Sequence, residues 1–236
     1  MLNYDKLIIS SSAYNILSLD CKSKRLSHAY LFVSKDENLL KRFSESVAKL
    51  FINLEDKSNE EKNNLRIDKG IHPDVKYFGL DKVINAEMTD VIVEQSVYSP
   101  FESDKKVFVL WNVGQMNEAS QNKILKTIEE PPENTFFVLT ATSTIKLLPT
   151  IMSRVKLVEI DEPSVAQITE LLVDSGVDKN RADICASSAR GNAMYAEKLA
   201  TDDGFLDFYN HYGLRRCQWN NHGRMGVYLY PTSARR

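Results

Sequence analysis

Residues 107–141 read VFVLWNVGQMNEASQNKILKTIEEPPENTFFVLTA, and this stretch decides the fold. It opens on an apolar, β-branched run at 107–111. It then passes through an amphipathic segment at 118–129, with Ile124, Leu125 and Ile128 on one face, and closes on a second apolar run at 136–141. The outer segments have strand composition and the middle one has helical period. Pro131 and Pro132 end the helix, because proline donates no amide hydrogen bond and restricts the residue before it. Strand, helix and strand in this order predict a parallel pairing, since parallel strands need a crossover long enough to hold a helix.

The same alternation extends outward in both directions. Strand-like runs stand at 30–33, 75–78 and 156–160, and helical patterns at 38–51 and 89–97, the first with Leu39, Phe43, Val47 and Leu50 on one face. The expected fold is an α/β domain with a parallel five-stranded sheet and helices on both faces. Residues 55–69 are polar and charged and read as a surface excursion outside the core. After Pro163 only helical patterns remain, at 165–175 with Ser164 as cap, at 179–189 and at 192–200. The division predicted is 1–161 for the α/β domain, 162–204 for a small helical domain and 205–236 for an irregular tail. That tail has no acidic residue after Asp207, carries Arg215, Arg216, Arg224, Arg235 and Arg236, and shows neither helical nor strand period. It reads as a truncated or frame-shifted end, with a basic nucleic-acid-binding tail as the alternative.

Composition narrows the class. A chain of 236 residues with 43% hydrophobic content buries a sizeable core. Thirty basic residues against 32 acidic ones leave a net charge of -2, so no global field draws the molecule to nucleic acid or membrane. Cys21, Cys185 and Cys217 form no CxxC pair, and His28, His72, His211 and His222 do not cluster with them, so no zinc site or disulfide framework is expected. The apolar run Leu7-Ile8-Ile9 is too short for a signal peptide or a membrane span, and a reducing cytoplasm is the expected setting.

Four further motifs stand in a fixed order. They are Ser27-His28-Ala29-Tyr30-Leu31-Phe32, His72-Pro73-Asp74-Val75, Leu125-Lys126-Thr127-Ile128-Glu129-Glu130-Pro131-Pro132-Glu133 and Leu148-Pro149-Thr150-Ile151-Met152-Ser153-Arg154. With them, residues 27–160 resemble the clamp-loader branch of the AAA+ ATPases. The resemblance implies a P-loop NTPase-like fold followed by a helical lid, and it allows the ATP site to be checked residue by residue. In active relatives a GxxxxGKT loop follows the first strand, its amides cradling phosphates, its lysine reaching them and its threonine holding magnesium. The equivalent stretch here is Ser34-Lys35-Asp36-Glu37-Asn38-Leu39-Leu40-Lys41, with no glycine, Leu40 in the lysine's place and Glu37 set to repel phosphate. Trp111 and Asn112 stand where an Asp-Glu pair would hold magnesium and orient the attacking water. Met194 replaces the lid arginine, and Thr142, near the place of a polar γ-phosphate sensor, reads as vestigial.

What the resemblance leaves in place is Ser153-Arg154, the family's Ser-Arg-Cys motif with Val155 for the cysteine. In that family the arginine reaches the nucleotide of a neighbouring subunit, and Lys126 matches a lysine that points the same way. From composition alone Arg154 would only settle the carbonyl end of a short turn and Lys126 would be solvated. The implied role is a non-catalytic member of a clamp-loader ring, beside gamma/tau and delta subunits, which load a sliding clamp on primed DNA. No cofactor, metal, membrane or small-molecule substrate is expected. Certain relatives hold a four-cysteine zinc module before the His-Pro-Asp segment, and residues 51–71 contain no cysteine. Relatives also add a third, helical collar domain, expected to be missing or corrupted over 205–236. Two other readings stay open: an active gamma/tau-type ATPase, which needs a lysine and an Asp-Glu pair, and a stand-alone nucleic-acid-binding module using the arginine-rich tail.

Overall fold

Five β-branched and aromatic runs pair as parallel strands: β1 (Ala29–Val33), β2 (Val75–Phe78), β3 (Lys106–Leu110), β4 (Thr135–Ala141) and β5 (Lys156–Glu159). Their order is β2-β3-β4-β1-β5, with Leu31 of β1 opposite Leu139 of β4 on one side and Leu157 of β5 on the other. Strand order reverses beside β1, and open α/β sheets bind ligands in the crevice outside the strands' carboxyl ends at such a point. The computed structural model describes residues 4–23, 25–202, 204–205, 217–219 and 225–227. The chain divides into two units, Tyr4–Glu162 and the residues from Pro163 onward.

Alternate strand residues feed two different cores, as the pleat requires. One face packs Leu31, Phe108, Leu110, Phe137 and Leu139 against Ile92 of α5 (Ala86–Ser96), Ile124 and Ile128 of α6 (Glu118–Glu129) and Ile151 of α7 (Pro149–Met152). The other is aromatic: Phe43 and Phe51 of α3 (Glu37–Ile52) meet Phe32 and Phe136 at ring separations of 4.9 and 4.8 Å, and Tyr30 lies 5.8 Å from Phe51. Tyr30 is fully buried. Its hydroxyl donates to Asp20 Oδ2 at 2.9 Å, and Lys156 Nζ reaches the same oxygen at 2.5 Å. Burial pushes the Tyr30 phenol well above its usual range.

The structure adds detail in three places. The N-terminal apolar run forms α1 (Asp5–Ser10), followed by α2 (Ser12–Lys22), and Ser11 joins them by accepting from Tyr14 N at 3.1 Å. Ile8 and Leu17 enter the core. The polar stretch at 55–69 is not an excursion throughout, because it folds α4 (Glu60–Asp68) and buries Ile67. Asn53 Nδ2 donates to Asn64 Oδ1 at 3.0 Å and Asn63 Nδ2 to Asn53 Oδ1 at 2.9 Å, which ties α4 to the end of α3. The expected patternless tail contains two short strands, β6 (Cys217–Trp219) and β7 (Met225–Val227), paired antiparallel. Backbone pairing there does not depend on an alternating apolar pattern, which is why periodicity missed it. The other calls on residues 206–236 lie outside the described residues.

The second unit contains α8 (Val165–Asp174), α9 (Lys179–Ala189) and α10 (Ala193–Thr201). Ser164 caps α8 as expected, in a reciprocal capping box with Gln167. Ile168, Leu171, Leu172 and Leu199 are buried, as are Ala182, Ala186, Ala193, Ala196 and Cys185, whose thiol burial pushes up to about 11.

Candidate functional site

The crevice beside β1 is a shallow cavity of about 410 Å³, lined by Glu37 and Lys41 of α3, Trp111, Asn112, Thr140 and Thr142. Of the residues weighed for the phosphate loop, Glu37, Leu40 and Lys41 line it together with Trp111 and Asn112, while Ser34 and Leu39 do not. Gly79 lets the chain after β2 close one side, for its φ is +90° and a Cβ there would stand 2.8 Å from the Trp111 carbonyl oxygen. Trp111 is only 8% exposed and follows the last β3 residue as a bulky wall. Asn112 has left-handed backbone (φ 46°), and its N–H donates to Thr140 Oγ1 at 3.0 Å.

The start of α3 has already met its anion. Asp36 is 3% exposed, and its Oδ1 accepts from both Asn38 N and Leu39 N at 3.0 Å. Helix N-termini attract phosphate because their first amides are unpaired and the helix dipole is positive there. Here a side-chain carboxylate takes those amides. Its second oxygen, Oδ2, is buried with no hydrogen-bond partner among the described residues. Ser34 supports the turn, its Oγ accepting from Asp36 N at 3.3 Å. Leu39 and Leu40 are buried, Leu40 against the cavity wall, while Glu37 and Lys41 are exposed. Asp36 was not singled out from sequence, though an Asp directly before a helical stripe is a cap signal.

A second polar arrangement surrounds Arg154. Pro149 opens the four-residue α7, and Arg154 follows it with its guanidinium folded back, Nη1 donating to Thr150 O at 2.9 Å and to Ser153 Oγ at 3.1 Å. Nε pairs with Glu129, the last residue of α6. Arg154 and Ser153 are both exposed. The contact to the turn's carbonyl is the one composition predicts. Lys126 is exposed and makes no ion pair among the described residues.

Gln121 sets where this arm sits. It is 1% exposed, donates to Met116 O and Lys146 O at 3.0 Å each, and accepts from Leu148 N at 2.9 Å, so α6 grips the segment leading into α7. Sequence reasoning missed it. Its signal was a glutamine three residues before Ile124, on the apolar stripe of α6. The His-Pro-Asp motif is likewise a support: the buried Asp74 carboxylate accepts from Phe101 N, Glu102 N and Ser103 N at 2.5, 2.9 and 2.9 Å. His72 Nδ1 accepts from Asp74 N at 3.2 Å. Among the described residues no group of three or more His, Cys, Asp or Glu side chains is placed to hold a metal ion, and no helix is long and apolar enough to cross a membrane.

A parallel sheet in the order β2-β3-β4-β1-β5, with the cavity between α3 and the ends of β2, β3 and β4, defines a P-loop NTPase-like domain of the AAA+ type. Solved structures agree on this fold. A DNA polymerase III gamma subunit-related protein from Thermotoga maritima matches 78% of the chain, and 57% of itself, with a TM-score of 0.53 at 20% identity. The RuvB Holliday junction branch migration motor of the same organism matches 89% of the chain, and 64% of itself, with a TM-score of 0.56 at 14% identity. The family model described as DNA polymerase III, delta subunit, matches residues 9–164. The chain belongs to that family, in its delta-prime group. The DNA polymerase III subunit delta' of Bacillus subtilis is 29% identical over 198 residues, 82% of this chain. The chain spans 59% of that relative's length.

Proposed function

We propose that this chain is a non-hydrolysing subunit of the DNA polymerase III clamp loader, working beside gamma/tau and delta subunits as they load a sliding clamp on primed DNA. It binds no ATP of its own and offers Arg154, with Ser153 and Lys126 beside the same path, to the nucleotide of a neighbour. The observation that carries the first half is the Asp36 carboxylate seated on the α3 amides. A nucleotide would need to displace a buried, covalently tethered anion and would find no lysine at Leu40 and no carboxylates at Trp111 and Asn112. The exposure of Arg154 supports the second half. A planar, permanently charged fork suits the charge that builds on a transferred phosphoryl group.

The expected outcome has two parts. Calorimetry of the chain with Mg-ATP yields no heat of binding in the micromolar range. Arg154→Ala, built into a reconstituted loader, lowers clamp-stimulated ATP turnover while thermal melting of the free chain hardly moves. A finger removed from a single-site enzyme costs roughly 10³ to 10⁵ in rate. Total turnover falls only in part, because one of several sites borrows this arginine. Lysine at the position does not rescue it, lacking the fork. Micromolar ATP binding would move the chain to the active gamma/tau type. Unchanged turnover with a lowered melting temperature would reduce Arg154 to a local brace.

A further inference from the structure

Arg154 is tethered in a way that bears on when it can act. A guanidinium offers five N–H donors and presents two edges on which a phosphate can be gripped by two parallel hydrogen bonds. One edge uses Nε with the nearer Nη, the other uses both Nη atoms. In this molecule Nε is paired with Glu129, and Nη1 serves Thr150 O and Ser153 Oγ. Each edge thus has one of its two members already engaged, and only Nη2 makes no hydrogen bond among the described residues. A neighbour's phosphate could touch Nη2 as the molecule stands, but a two-pronged grip requires that one tether let go.

The two tethers differ in charge. Thr150 O and Ser153 Oγ are neutral acceptors, whereas Glu129 is an anion that a phosphate would repel. Glu129 is also poorly supported where it sits. It is the last residue of α6, where the dipole disfavours a carboxylate, and Glu130 follows it with the same charge. Both side chains of the pair are about a third exposed, 35% for Arg154 and 36% for Glu129, so water and salt weaken it. The pair is strong enough to hold the arm down and weak enough to yield.

We infer that Glu129 is a latch: it parks Arg154 against its own domain in the free subunit and gives it up when a nucleoside triphosphate on the neighbouring subunit competes for the guanidinium. The inference rests on the trans role proposed for Arg154 and adds a regulatory residue to it. Exposed pairs are worth little, so removing the latch should raise engagement of the finger about two- to fivefold.

The test uses the assembled loader carrying wild-type chain, Glu129→Gln, Arg154→Ala or both, assayed for ATP turnover without clamp or DNA. The quantity read is the Arg154-dependent share, the turnover lost on Arg154→Ala. Glu129→Gln should raise that share about two- to fivefold, and it should change nothing once Arg154 is already alanine. In the free chain, the Nε–H resonance of Arg154 should shift on Glu129→Gln with the melting temperature unaltered. A share that falls in Glu129→Gln would mean that Glu129 orients the finger, and an unchanged share or an unmoved resonance would mean that no latch exists. If Arg154→Ala itself leaves turnover intact, the trans role fails and the latch falls with it, a result separate from failure of the latch alone.

Discussion

Two ends of the same sheet handle charge in opposite ways. At the start of α3, Asp36 is 3% exposed and turned inward on two backbone amides, so the charge serves only the molecule's own helix. At the end of α7, Arg154 is exposed and held by a carboxylate and two neutral oxygens at the surface. Contacts of the first kind are shielded from water and salt and cost stability when broken. Contacts of the second kind are weak and exchangeable. Under the function proposed above, the first kind of site would be closed and the second kept open.

The largest expected effect probes what holds the segment before α7 in place. Gln121→Leu keeps the apolar volume on α6 but leaves Met116 O, Lys146 O and Leu148 N without their partner. Unpaired buried backbone groups cost about 1–3 kcal/mol each, partly relieved by relaxation, so a loss of about 3 kcal/mol is expected in urea unfolding. A loss below about 1 kcal/mol would show that the segment before α7 is held by its apolar contacts alone.

Asp36→Ala tests the closed end directly. Loss of an N-cap costs about 0.5–2 kcal/mol, read as a lower unfolding midpoint. ATP affinity should stay absent, because Leu40, Trp111 and Asn112 remain. Micromolar binding in this variant would mean that Asp36 alone keeps the crevice shut.

The smallest effect is a pH response confined to the buried class. Burial pushes the His72 imidazole below its usual pKa, Glu102 opposing this and Arg66 adding to it. A histidine kept neutral by the fold contributes stability that is complete above its unfolded pKa of about 6.5 and is lost as pH falls through that value toward the folded one. The melting temperature should therefore drop between neutral and mildly acid pH. His72→Asn retains an acceptor for Asp74 N and should flatten the slope. An unchanged slope would assign the acid response to other groups.

How much could be read beforehand followed from which signals are local. β3, α6 and β4 were legible because strand composition, helical period and two prolines coincide within 107–141. The cap at Ser164 was legible for the same reason. α1 and α2 were not, since Leu7-Ile8-Ile9 ends at three serines and only the φ/ψ of Ser11, -72° and 149°, shows that one of them turns the chain from one helix into the next. α4 was hidden because a helix that buries little beyond Ile67 has almost no apolar stripe. At the site, the sequence shows which residue types stand at Leu40, Trp111 and Asn112, and the structure brings these three to one cavity. The tethers on Arg154 were not, because Glu129 lies 25 positions earlier and meets it only once α6 and α7 are packed.

The cap on α3 also sets what building a phosphate seat there would take. Replacing Asp36 with glycine would free two amides but take away the helix's own anion, with no ligand yet to reward the change. Introducing lysine at Leu40, one helical turn later, would draw the ammonium to Asp36 before any phosphate could recruit it. Each single step toward nucleotide binding is unrewarded while the other is missing. With a carboxylate on those amides, a phosphate seat at this helix start would take several coordinated substitutions and not a single one.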